Sequence, residues 1–467
     1  MSSPSPIQSS KTAGKWLAVI LLPLLIFLLS AGVGLAAPFR AYVALTVWAI
    51  LSWALSLMPE AFVGSLLPVL YIVAGVAKPA AAFAPWLTNV PWTSMGGLIL
   101  GAVLLASGLA KRIAYWSILR TGASYYRTLA GLMLAGIILG PLIPSALGKM
   151  SIFCPLAIGI CQALNLPPKS RAATAVMATA FFAVAGPTVT YLTGGIHIIM
   201  AMSLVSGVLQ TPVSWSQYAV YNFIPGVIYS GLTLSLVALL LRPERSIDTA
   251  EVIRLQYKNL GPPTATEKKA AVVLAVTLVL LSTDTLHHID PGWLLLLVAA
   301  VLFLPGVKLM DKEKFSKIDF SVILFIAGAM SIGSVAGALG AGRWFSGLIM
   351  PLLGAASAPA MLLSVYAVGA TLTLFLTPIA GLATFTGPLT ETALALGLNP
   401  FPVIYSLIYG MDQYIFPYQY GVLMLAFSYG YMSWPLMARV FAAKMALTPL
   451  FLLFIAQAYW RWLGLLP

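Results

Sequence analysis

Apolar segments of spanning length recur from Trp16 to Leu465, and that recurrence leaves few folds open. A helix needs about 20 apolar residues to cross a bilayer, and lipid-exposed backbone there must pair every N–H and C=O internally. The chain is therefore read as an all-α polytopic membrane protein. Composition agrees: 60% hydrophobic and 8% charged residues, with a mean hydropathy of +0.97, exclude an ordinary soluble domain. A net charge of +13 would suit a nucleic-acid partner. The Lys and Arg residues, however, lie in short loops between spans, which is the positive-inside pattern. The expected partner is the lipid bilayer, and no nucleic acid is expected.

Taken in order, a polar, Ser-rich tail (1–15) precedes spans at 16–38, 41–58, 61–77 and 94–110. The apolar run after the tail is too long for a signal-peptide core, so it reads as a retained span. A basic loop follows, with Lys111, Arg112, Arg120 and Arg127 and no acid, and should be cytoplasmic. Residues 128–164 then climb, break at Pro141 and Pro144, and return to the same side. An interrupted span at 172–208, a span at 219–241 and a polar cytoplasmic stretch complete the first half. Short spans at 270–283 and 293–307, a Lys-rich loop and a span at 320–340 lead to a second broken element, 348–397. An interrupted span at 401–433 and a last span at 436–465 close the chain. With the N-terminus cytoplasmic and the C-terminus outside, only Arg40, Lys78, Arg343 and Arg461 fall outside, and Lys149 sits at a hairpin tip. Trp460 and Trp462 then fall at the far interface, where aromatic belts belong.

The organisation that follows is a tail (1–15), N-terminal scaffold helices (16–93), a first repeat (94–241) with hairpin 128–164, and a cytoplasmic loop (242–269). Two linking spans and a loop (270–319) then precede a second repeat (320–467) with hairpin 348–397. In all, about 11 spans and two re-entrant helical hairpins are expected. The halves echo each other. Gly108-Leu109-Ala110-Lys111-Arg112 precedes one broken element, and Leu339-Gly340-Ala341-Gly342-Arg343 precedes the other. Equivalent elements start on opposite sides, and inverted-topology repeats with paired broken helices point to a secondary transporter with its site near the midplane.

Broken backbone at membrane depth survives only where it is covered or lines a polar cavity. Lys149, one residue past Gly148 in the first break, is a functional candidate because a charge inside a span is costly; the alternative is a snorkelling lysine. Two half-helix N-termini would offer N–H groups to an anion, from Gly148 to Ser151 and from Gly381 to Thr384. Ser145, Thr384 and Thr386 supply hydroxyls. From the interrupted spans come Thr188 and Thr190 after Gly186-Pro187, and Tyr418, Gln419 and Tyr420 after Pro417. For the threonines the alternative is back-bonding to their own helices. Glu391 and Asp412 are the intramembrane acids available to a proton relay, with His197 as a third titrating group. His287-His288 reads as a solvated loop pair rather than a metal site, and Cys154 and Cys161 as packed small residues. With twelve acids and no HExxH, P-loop or GxSxG element, an enzyme is not expected, and no metal or cofactor is.

The chain resembles the divalent anion:sodium symporter family of citrate, dicarboxylate and sulfate carriers. The resemblance is carried by Gly97-Leu98-Ile99-Leu100 through Gly108-Leu109-Ala110-Lys111-Arg112-Ile113-Ala114. It extends through Pro144-Ser145-Ala146-Leu147-Gly148-Lys149 to Pro155, which is similar to the family's first hairpin tip. By the same spacing to Pro388, the second tip falls on Pro378-Ile379-Ala380. In place of the family's Ser-Asn-Thr motif this chain has Ser145-Ala146-Leu147 at the first tip and Pro378-Ile379-Ala380 at the second. The resemblance implies an elevator-type carrier of small di- or tricarboxylates, a related organic anion or sulfate. It also implies a homodimer in the bacterial inner membrane, with substrate held at both tips and breaks. Ser145, Gly186, Pro378 and Gln419 are the positions it offers for sodium, the family's coupling ion; sodium symport, proton symport and anion exchange all stay open.

Overall fold

The computed structural model describes residues 6–55, 57–122, 124–243, 249–340 and 357–467. The echo at Ala341 to Phe345, Arg343 within it, and the start of the second hairpin at 348–356 lie outside these. Among the described residues, nine helices are long and apolar enough to cross a membrane, and no strand occurs.

The N-terminal part consists of α1 (Pro6–Leu29), α2 (Ala37–Ala54) and α3 (Glu60–Val73), followed by α4 (Val90–Ser107). The expected basic loop is instead a helix, α5 (Leu109–Thr121). Its Leu109, Ala110, Ala114, Tyr115 and Ile118 are buried, while Lys111 and Arg120 are exposed. Counting charges hid this apolar stripe. The first hairpin is α6 (Tyr125–Leu139) and α7 (Ala146–Ala163), and the first interrupted span is α8 (Arg171–Ala185) and α9 (Ile196–Leu209). Then come α10 (Trp215–Leu240), α11 (Ala250–Lys258), α12 (Ala265–Ser282), α13 (Pro291–Val301) and α14 (Ser321–Ala338). The second hairpin is α15 (Ala358–Leu372) and α16 (Pro378–Ala395), and the second interrupted span is α17 (Pro400–Met411) and α18 (Gly421–Ser428). The last, α19, runs Trp434–Phe451 and continues through one π turn to Trp462. Trp462 is exposed, but Trp460, expected at the interface, is buried and donates its indole N–H to Tyr221 O at 3.1 Å.

Small residues set the closest crossings, as they do where lipid supplies no hydrophobic drive between helices. A Cβ on Gly328 of α14 would stand 1.9 Å from Gly64 O of α3, and one on Gly410 of α17 would stand 2.4 Å from Tyr366 O of α15. The first contact builds the scaffold; the second fixes the second interrupted span to its hairpin. Across the halves α9 packs on α16, and within the second half α14 packs on α16.

On the loop side Arg112 of α5 forms a bidentate pair with Glu267 in the polar first turn of α12, Nε–Oε1 2.9 Å and Nη2–Oε2 3.0 Å. It also donates to Gly261 O and Leu260 O. Glu267 closes a capping box with Thr264. The guanidinium beside it holds the Glu267 carboxyl below its ordinary range.

Candidate functional site

The proline breaks start helices. Pro lacks an N–H and has a fixed φ, so it is tolerated in the first turn and disruptive beyond it. Pro141 lies in a short 3-10 turn, Gly140–Leu142, after which Ser145 caps α7 by accepting the Gly148 N–H at 3.0 Å. Thr377 caps α16 in the same way through the Ala380 N–H, with Pro378 as its first residue. Each hairpin is then tied to the break beside it. Thr193 donates to Pro141 O at 2.8 Å; Thr373 donates to Gln413 O at 2.9 Å and accepts from Gln419 Nε2 at 3.0 Å.

Both tips and both breaks meet at one cavity of about 570 Å³. Its wall is made from helix beginnings. Ser145, Ala146 and Leu147 open α7; Thr377, Pro378 and Ile379 open α16. Ile196 and His197 open α9, and Tyr420, Gly421 and Val422 open α18. From the scaffold come Glu60, the first residue of α3, and Ser321 and Val322, the first of α14. Six helix N-termini, each a positive dipole end, therefore border one space. Ser145, Thr377 and Asp319 each take one first-turn N–H, and Glu60 and Asp319 bring carboxylates to the wall. Among the described residues no Lys or Arg lines it. Much of the remaining wall is apolar, including Leu98 and Phe325.

Of the residues singled out from sequence, Ser145, Ala146, Leu147, Pro378, Ile379 and Tyr420 line the cavity, as does His197. Gly148 and Ala380 sit one turn in, with their N–H groups taken by the caps. Lys149 does not line it: the side chain is fully buried rather than snorkelling, and Nζ donates to Gly194 O at 2.7 Å, in the first break. Thr188 and Thr384 bond back to Ala185 O and Ala380 O. Thr190 and Thr386 are buried, with hydroxyls that find no partner among the described residues. Gly186 begins a buried 3-10 turn. Gln419 is spent on its own break and the hairpin beside it, its Oε1 accepting from the Ile415 N–H at 2.7 Å and its Nε2 donating to Thr373 O. Tyr418 is exposed and stacks on Phe416. Glu391 is half-buried in α16, away from the cavity. Asp412, in the second break, pairs with buried Lys444 of α19 at 2.7 Å.

Sequence reasoning missed Glu60, Asp319 and Thr377. Asp319 caps α14 by accepting the Ser321 N–H at 2.9 Å, and the Ser321 hydrogen bonds hold its carboxyl below the ordinary range. Each acid stands just ahead of an apolar span and reads as loop; only the meeting of scaffold with tips turns them inward. The adjacent histidines do what loop residues do. His287 is bonded to Leu280 O and the Ile289 N–H, and His288 adopts a left-handed turn.

Paired hairpins and interrupted helices closing on one cavity within an all-helical membrane bundle define a secondary transporter rather than an enzyme. The chain belongs to the sodium:sulfate symporter family, whose transmembrane-region description matches residues 10–466. It is similar to a membrane protein of Cupriavidus necator, 24% identical over 79% of this chain and 74% of that protein. It is also similar to the inner membrane protein YbhI of Escherichia coli, 22% identical over 70% and 71%. The solved structure of the YdaH transporter of Alcanivorax borkumensis shares the fold, with a TM-score of 0.56 at 18% identity over 82% of this chain and 87% of that one. The protein is thus an integral membrane transporter whose family carries anions with sodium. Of the sodium positions offered by the resemblance, Gln419 has its amide oxygen and nitrogen bonded to Ile415, Phe416 and Thr373, and in each break a backbone carbonyl accepts from a lysine Nζ.

Proposed function

We propose that the protein carries a small organic anion of the di- or tricarboxylate class, bound between the two hairpin tips. The observation that carries this reading is the convergence of six helix N-termini on a cavity that, among the described residues, no Lys or Arg lines. Backbone N–H groups and dipole ends are a sufficient anion site, and half-helix N-termini aimed at an anionic group are how transporters of this plan hold one. The apolar wall from Leu98, Leu147, Ile379 and Phe325 favours an organic anion over sulfate, because sulfate has no hydrocarbon to bury.

The hairpins and interrupted spans move together past the scaffold helices in an elevator cycle. What supports this is the set of bonds tying each hairpin to its own break, while the scaffold meets them across the cavity. Asp319 lies beside the Lys-rich loop, which positive charge assigns to the cytoplasm, so the cavity is the inward-open one, with the N-terminus cytoplasmic and the C-terminus outside. A homodimer contacts through the scaffold, where Val272, Val276 and Val279 of α12 are exposed.

Uptake of radiolabelled succinate, citrate and sulfate into proteoliposomes, with unlabelled anion trapped inside, tests the reading. Succinate or citrate uptake that sulfate fails to compete is the expected result. Uptake of sulfate alone, or of no anion, sinks it.

A further inference from the structure

Each interrupted span leaves unwound carbonyls in its break: Gly194 just ahead of α9 in the first, and Asp412 at the end of α17 in the second. The negative end of a half-helix and its unwound carbonyls are the groups that coordinate a coupling cation in transporters built this way. In this chain a lysine Nζ already reaches into each break. In the first, Lys149 Nζ, on the opening turn of α7, donates to Gly194 O at 2.7 Å. In the second, Lys444 Nζ, on α19, donates to the carbonyl of Asp412, the residue that follows α17, and to its carboxylate at 2.7 Å. Lys444 also lies 5.2 Å from the Tyr229 ring centroid and 6.0 Å from that of Tyr414, which adds cation–π stabilisation. Both side chains are buried. The two lysines come from different kinds of element, so they are not copies of one repeat residue; what they share is the type of group they complete.

We propose that Lys149 and Lys444 are built-in cations that fill the two breaks, so that the chain moves its anion with no sodium ion at either one. An ammonium satisfies the carbonyls as a sodium ion would, but it cannot leave, so the breaks stay closed throughout the cycle. No sodium gradient then enters the cycle at these points, and transport runs on the anion's own gradient or on that of an exchanged anion. The transport arm of this inference rests on the anion-carrier reading; the binding arm does not.

The test uses the purified full chain in detergent. Binding of radioactive sodium and thermal unfolding in sodium chloride and in choline chloride are measured for wild type, Lys149→Ala and Lys444→Ala. Wild type should bind no radioactive sodium and melt at the same temperature in both salts. Each variant should gain sodium binding and melt higher in sodium than in choline. The shift should be larger for Lys444→Ala, which leaves the Asp412 carboxylate as a ligand, than for Lys149→Ala, which leaves a neutral carbonyl. Saturable sodium binding by wild type overturns the proposal, and so do folded variants that stay indifferent to sodium. The wild-type arm stands without either variant. Failure of every anion in the uptake assay would remove the carrier reading and leave these sodium results untouched.

Discussion

Replacing Arg112 isolates the cost of breaking the join between the first repeat and the linking helices. Arg112→Ala removes a bidentate pair with Glu267 and two bonds to the carbonyls at 260 and 261, and leaves the carboxylate of the capping box facing a crevice. Coulomb attraction at 2.9 Å is worth about 6 kcal/mol at an effective dielectric of about 20, before the desolvation that opposes it. Removing one partner of a buried pair costs about 3–5 kcal/mol, and this pair lies at the edge of the protein, so about 3 kcal/mol is expected. The apparent Tm should fall by on the order of 5 °C. Arg112→Lys should recover only a small part, because an ammonium cannot grip both carboxylate oxygens and two carbonyls at once. The sign with pH follows from Glu267, whose folded carboxyl lies below its ordinary 4.5. Its contribution is complete above that value and is lost as pH falls through the folded value. The Tm gap between wild type and Glu267→Gln should therefore be flat from neutral pH down to the carboxylate range and close below it. Thermal unfolding in detergent, followed by tryptophan fluorescence, reads all of this. Arg112→Lys melting with wild type, or a gap that widens in acid, would refute the reasoning.

Gly328→Ala places a Cβ 1.9 Å from Gly64 O and should cost about 2 kcal/mol or abolish monodisperse expression. Gly337→Ala, in the same helix with open space around it, should be neutral or slightly stabilising; both are read by size-exclusion chromatography and Tm. In choline buffer Lys444→Met should destabilise by about 3 kcal/mol, and the double change with Asp412→Asn should recover most of it, as a double-mutant cycle on Tm would show. Leu147→Asn, at the cavity wall, should shift preference in the uptake assay toward the anion with more polar ends, with protein yield unchanged.

Much of the fold was legible because the constraint is severe. A helix in lipid must be long and apolar, and a proline there must begin or break one, so Pro141, Pro144, Pro378 and Pro417 marked the breaks. The basic helix α5 was not legible as a helix, because its apolar stripe is short and its charges dominate any loop count. At the site, tip residues were predictable from the breaks, while the direction of individual side chains was not. Lys149 turns to Gly194 and Gln419 turns to Thr373 of the hairpin beside it, outcomes set by which carbonyl lies within reach after folding. Asp412 looked like a free acid because its partner Lys444 is 32 positions away on another helix. Glu60 and Asp319 enter the cavity only through the scaffold crossing at Gly64 and Gly328.

The cavity wall of helix beginnings has a consequence for how the protein is probed and how it changes. Attraction supplied by peptide groups cannot be titrated away near neutral pH, and no side-chain truncation removes it. An alanine scan of this wall will therefore report modest losses at every position and name no residue as the anion's holder. The same property separates two traits under selection. Side chains at the tips, Ala146, Leu147, Pro378 and Ile379 among them, shape the space beside the helix beginnings, whose dipoles persist whichever side chains stand there.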